Sequence, residues 1–130
     1  MYRVAILLLG TLLLVQLSCT ESTGPTGKDM YISIDVESAF QNDPVRLQLD
    51  GTSLLDSTVT TNYTINLAWS SGLRRLEGPM HTLVFGIVGT HLQKSYTFDS
   101  SLDTSTVLIR FNRTAGIITI ERIKGLLFRD

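Results

Sequence analysis

Val45-Arg46-Leu47-Gln48-Leu49-Asp50-Gly51-Thr52 decides the fold class. Val45, Leu47 and Leu49 are apolar at every second position and Arg46, Gln48 and Asp50 stand between them, which is the period of a strand with one buried face. Asp50-Gly51 then supplies a two-residue hairpin turn: both central residues of a type I′ turn need positive φ, which glycine accepts and aspartate tolerates. A return strand is expected from Thr52 to about Leu55.

Working outward toward the N-terminus, Asn42-Asp43-Pro44 breaks the chain. Before it, Met30, Ile32, Ile34 and Val36 alternate with Tyr31, Ser33 and Asp35 as a first strand. Toward the C-terminus, Val59, Thr61, Tyr63, Ile65, Leu67 and Trp69 form the longest clean alternation, with Thr60, Asn62, Thr64, Asn66 and Ala68 opposite. Ser70-Ser71-Gly72 and Glu77-Gly78-Pro79 bracket a turn region, after which Leu83, Phe85 and Ile87 resume the buried parity. Leu92, Tyr96 and Phe98 share a parity with Lys94. Val107, Ile109 and Phe111 come next, and Ile118 and Ile120 return after a loop over Asn112 to Gly116.

About eight strands result, and no stretch carries a helical period. Turns every 8 to 12 residues predict an all-β, antiparallel β-sandwich, immunoglobulin-like or prealbumin-like, over 30–130.

Ahead of the strands, Met1-Tyr2-Arg3 gives a short positive start, and the apolar run Val4 to Leu17 covers 14 residues. A membrane-spanning helix needs about 20, so the run reads as a signal peptide. It ends at Gln16-Leu17-Ser18-Cys19, followed by Thr20, Glu21, Ser22 and Thr23. These residues resemble the leader of bacterial lipoprotein precursors, in which a small residue precedes the cysteine that is diacylated and becomes the mature N-terminus. Ser18-Cys19 fits that box, while Gln16 stands where leucine is usual. The resemblance implies a signal peptide over 1–18, lipidation of Cys19, and a membrane partner held through that lipid. Thr20 in place of aspartate implies the outer membrane over inner-membrane retention.

Cys19 is the single cysteine of the chain, so it has no disulfide partner, and two or three acyl chains anchor far better than one. The segment 19–29 reads as a flexible tether of small polar residues that lifts the domain off the lipid surface. A second resemblance spans roughly Val45 to Val88. The order strand, Asp50-Gly51, return strand, Leu76-Glu77-Gly78, His81-Thr82-Leu83 is similar to small bacterial surface sandwiches of the PEGA and carboxypeptidase-regulatory-like kinds, with Pro79 departing from their glycine-x-histidine spacing. Such modules are mostly non-catalytic.

The 130 residues carry a formal charge of -1, and 43% are hydrophobic. Arg3 is the one charged residue of the leader, so without it the charge is -2. Arg74-Arg75 is the one adjacent basic pair and reads as a solvated turn, so no nucleic-acid surface is expected. His81 and His91 are the only histidines; on a straight strand they stand about 30 Å apart at ~3.3 Å per residue and would not share a metal. No Gly-x-Ser-x-Gly occurs, which argues against serine catalysis. Asp99 and Asp103 in a Ser-rich turn lack EF-hand spacing and read as a polar turn. No metal, no cofactor and no catalytic residue is expected.

Trp69, Tyr63 and Phe98 fall on the apolar parity and read as core, while Tyr31 lies on a polar face. A sugar-stacking platform would need Tyr31 beside a second exposed ring. Asn62-Tyr63-Thr64 and Asn112-Arg113-Thr114 match the glycosylation sequon, which matters only in a eukaryotic secretory pathway. Leu126-Leu127-Phe128 either extends the last strand across an edge or covers a groove; left exposed, it would offer a docking site for a partner strand. The functional expectation is a lipid-anchored, non-catalytic binding or structural module of the cell envelope with an envelope protein or glycan partner; the alternative is a carbohydrate- or small-ligand-binding module.

Overall fold

The computed structural model describes residues 29–128. Within them lie nine strands and no helix: β1 (Met30–Val36), β2 (Asp43–Leu49), β3 (Thr52–Val59), β4 (Trp69–Ser70), β5 (Arg74–Leu76), β6 (Met80–Ile87), β7 (Gln93–Asp99), β8 (Thr104–Asn112) and β9 (Ile117–Lys124). They form a sandwich of two sheets. One has the order β3-β2-β6-β7; the other has the order β4-β1-β8-β9, with β5 also paired to β1.

All pairings are antiparallel except that of β1 with β8, where Ile34 lies beside Val107 and Val36 beside Ile109 in parallel register. The expected antiparallel sandwich therefore carries one parallel pair at the centre of a sheet. Alternation explains the core. Met30, Ile32, Ile34 and Val36 of β1, Val45 and Leu47 of β2, Leu83 and Phe85 of β6, and Val107 and Ile109 of β8 all point between the sheets with no exposed surface.

The Asp50-Gly51 turn forms as the sequence predicts, with φ of 50° and 78°. Its return strand runs on to Val59, past the expected Leu55, with a register shift opposite Leu47/Gln48.

The long alternation from Val59 to Trp69 does not form a strand. Val59 ends β3, and 60–68 is a loop closed by a single bridge between Asn62 and Leu67. Its side chains take the backbone partners a ladder would need, the usual competition from Thr and Asn. Thr61 Oγ1 donates to Glu37 O at 2.8 Å and accepts from Phe40 N at 2.9 Å. Thr60 Oγ1 accepts from Asn42 N, Asn62 Oδ1 accepts from Thr64 N, and Asn66 adopts a positive φ of 52°. Thr61 is buried by these bonds, and Tyr63, expected in the core, is 60% exposed.

Arg74-Arg75 lies in the short strand β5 and not in a turn, and Arg75 pairs with Asp29. The C-terminal residues 125–128 leave β9 instead of extending it. Gly125 N donates to Thr104 O, Thr106 Oγ1 donates to Gly125 O, and Leu127 N donates to Thr106 Oγ1. The segment thereby crosses the outer face of the β1-β8-β9 sheet over Thr106, leaving Leu127 43% and Phe128 87% exposed.

Candidate functional site

Cys19 lies outside the described residues. Of the two histidines, His81 is the one brought into a specific pairing. It sits on β6 with its side chain turned inward and 4% exposed, while Asp50 is placed beside it by the hairpin turn. The Nδ1 of His81 is 2.7 Å from Asp50 Oδ2. A carboxylate only accepts, so Nδ1 carries a proton in this contact, and in the neutral ring Nε2 is the bare nitrogen. Asp50 Oδ1 also accepts from Thr82 N at 2.8 Å, and Asp50 N donates to Thr82 O at 2.9 Å. Nε2 is buried without a hydrogen-bond partner, and the ring packs 5.6 Å from that of Phe98. Nε2 is shut away from solvent, and the aspartate-histidine pair links the β2-β3 turn to β6. His91 is exposed and makes no part of it.

Asp99 accepts from the Ser101 hydroxyl and backbone and lies 3.4 Å from the Arg122 guanidinium. Those hydrogen bonds from Ser101, with Arg122 adding to them, hold its carboxyl below the usual aspartate range. It is occupied within its own turn, as the plain polar-turn reading expects. Among the described residues no group of three His, Cys, Asp or Glu side chains stands close enough to hold a metal.

Among the described residues the rings do not assemble a stacking platform. Phe98 is buried with Tyr96 stacked on it, 5.9 Å between centroids, and Trp69 is half-buried. Tyr31 is exposed, but its register neighbours are Arg75 and Thr104. Tyr63 is at the far end of β1, its hydroxyl 3.5 Å from Gln41 Nε2. Both sequon asparagines serve turns, Asn62 through Thr64 N and Asn112 through Ala115 N.

Three arrangements have no counterpart in the sequence reading. First, a depression of about 330 Å³ opens on the outer face of the β3-β2-β6-β7 sheet. Arg46, Gln48, Val84 and Gln93 stand around it, and Gly86 contributes bare backbone to its floor. A Cβ on Gly86 would meet Leu92 O at 3.2 Å, so any side chain there would press on the β6-β7 turn. Second, Glu37, 3% exposed, accepts from Arg110 Nε at 2.5 Å, and Arg110 also reaches Glu121 at 3.0 Å. Hydrogen bonding to Glu37 raises the Arg110 pKa above its ordinary value despite some burial. Third, Asp35, 4% exposed, accepts from Ser70 Oγ at 2.7 Å and Ser33 Oγ at 3.1 Å. Buried charges on an outer sheet face are held by partners drawn from distant strands, which local spacing does not signal.

No family model matches the chain, and no curated protein and no solved structure matches it.

Proposed function

We propose that this chain is a lipid-anchored lipoprotein of the cell envelope, held at the outer membrane through Cys19, whose sandwich acts without catalysis as a binding or structural module. The observation that carries the reading is Ser18-Cys19 at the end of a 14-residue apolar run in a chain with no other cysteine. An exported protein with one cysteine has no disulfide to make, and acylation gives the thiol a use. The closed-off Nε2 of His81 supports the non-catalytic part. Its only acidic partner serves Thr82 as well, an arrangement suited to fixing a turn.

Intact mass analysis of the protein from membrane and soluble fractions tests the reading, with Cys19→Ala as the comparison. The expected product is membrane-bound, begins at Cys19 and carries added acyl mass that the variant lacks. A soluble product without acyl mass overturns the anchor.

A second reading, a module for carbohydrate or another small polar ligand, is favoured by the depression beside Gly86. Two amide side chains line it over a bare stretch of strand, beside the Arg46 guanidinium whose Nε donates to Asp56 at 3.0 Å, a setting for hydroxyl or carbonyl groups. Saturable binding of a soluble glycan that Gln48→Ala and Gln93→Ala both weaken would support it, and equal binding by all three proteins would remove it.

A further inference from the structure

The two sheets share one end at which the chain enters. Asp29 precedes β1 there, Leu76 pairs with Met30, Tyr31 N donates to Asp103 O, and Gly125 N donates to Thr104 O. In the other sheet Met80 lies opposite Asp99 at this end, and Ser100 N donates to Pro79 O across the connecting loops. Four large apolar side chains are exposed near it: Tyr31 at 45%, Leu127 at 43% and Phe128 at 87% on the outer side of the β1-β8-β9 sheet, and Met80 at 57% on the outer side of the other sheet. Tyr63, Val88 and Ile117 are exposed at the opposite end. What separates the two ends is the chain leading in. Ten residues, Thr20 to Asp29, join Cys19 to Met30, and over those eleven steps, at up to 3.6 Å each, Met30 lies no more than about 40 Å from Cys19.

We propose that the entry end of the sandwich, led by Leu127 and Phe128, docks onto the lipid surface that holds the acylated Cys19, an inference that rests on the anchor reading above. The charges at this end leave the surface fit for that contact. Arg75 is neutralised by Asp29 and lies 3.6 Å from Glu77, Arg122 is turned onto Asp99, and Lys124, exposed at the end of β9, can stay among anionic headgroups. Leu127 and Phe128 suit insertion at the boundary between headgroups and acyl chains, and Tyr31 suits its wet edge through its hydroxyl. The tether makes the contact intramolecular, so a small apolar patch that would bind vesicles weakly from solution is held at high effective concentration. Leu127 and Phe128 then act as a second membrane signal that fixes the orientation of the sandwich, with the β1-β2, β6-β7 and β8-β9 connections facing away from the bilayer.

The test uses the full acylated protein, its acyl mass verified, in phosphatidylethanolamine/phosphatidylglycerol vesicles. An environment-sensitive dye is attached in separate variants to Phe128→Cys and to Tyr63→Cys; the thioether on Cys19 keeps that sulfur from labelling. The dye at 128 is expected to emit to the blue of its aqueous position and to be quenched by brominated acyl chains, while the dye at 63 stays water-like. A water-like dye at 128 on acylated protein overturns the docking and leaves the anchor standing. Equal quenching at 128 and 63 overturns the orientation. Protein with no acyl mass overturns the anchor reading and the docking with it.

Discussion

Lys94 Nζ of β7 donates to the backbone oxygen of Ile118 on β9, 3.3 Å away, joining the edge strands of two different sheets. The lacing is reciprocal, because Arg122 of β9 donates from NH1 to Asp99 O of β7 at 2.7 Å. Each strand pairs on one side only, so its outer backbone groups are a template for another chain. A cation bonded to the outer carbonyl leaves that position unavailable for strand addition. The two links differ in burial: the Arg122 side chain is 8% exposed and also lies over the Phe98 ring, 5.3 Å from its centroid, whereas Lys94 is exposed. Urea denaturation of Arg122→Ala should therefore show a loss of about 1.5–3 kcal/mol, the range for hydrogen bonds to a charged group. Lys94→Ala should lose less than about 1 kcal/mol. Equal losses would mean the lacing is not what holds the two edges together.

The Asp50-His81 brace gives a separate prediction. Asp50→Ala removes the acceptor of both Thr82 N and His81 Nδ1 and places a non-glycine residue without a polar side chain at φ 50°. The expected cost is about 1–3 kcal/mol. Asp50→Asn keeps an acceptor oxygen and tolerance of positive φ, and should lose less than half as much. Nitrogen NMR of the neutral wild-type His81 should report the proton on Nδ1. A proton found on Nε2 would show that the contact with Asp50 is not the one described.

Much of the sandwich is legible in period-two alternation. Met30 to Val36, Val45 to Leu49, Leu83 to Ile87 and Val107 to Phe111 all appear as strands with the expected faces buried. The alternation fails between Thr60 and Ala68, where hydroxyl and amide side chains bond to nearby backbone and win over the ladder. Phe40 was invisible for the opposite reason. It stands in the β1-β2 connection with no period around it, yet it is fully buried between Phe85 and Phe111, both 5.7 Å away. The buried carboxylates of Asp35 and Glu37 could not be read either, because Ser70 and Arg110 are 35 and 73 residues away in sequence.

The same contrast can be measured. Phe40→Ala should destabilise the domain by about 3–5 kcal/mol, the cost of an aromatic deletion in a packed core. Tyr63→Ala, at a position that alternation alone would place inside, should change stability by no more than about 0.5 kcal/mol. A large loss at Tyr63 would mean that the loop packs against something other than solvent in the folded chain.

Asp99 sets the last expectation, which concerns acid. Its folded-state pKa is lowered, first by the hydrogen bonds from Ser101 and then by Arg122. A depressed carboxylate contributes stability that is fully present above its unfolded pKa, near 3.9, and that is lost as pH falls through the lower folded value. The contribution should therefore be intact at neutral pH and fade only in strong acid. Carbon NMR titration of the Asp99 carboxyl should give a midpoint below the ordinary aspartate value. Ser101→Ala should move it upward, because the hydroxyl donor is gone while the backbone donor and Arg122 remain. Arg122→Ala should move it less, the guanidinium being the more distant partner at 3.4 Å against 2.5 Å for the hydroxyl. The reverse order would assign the depression to the ion pair and make it sensitive to salt.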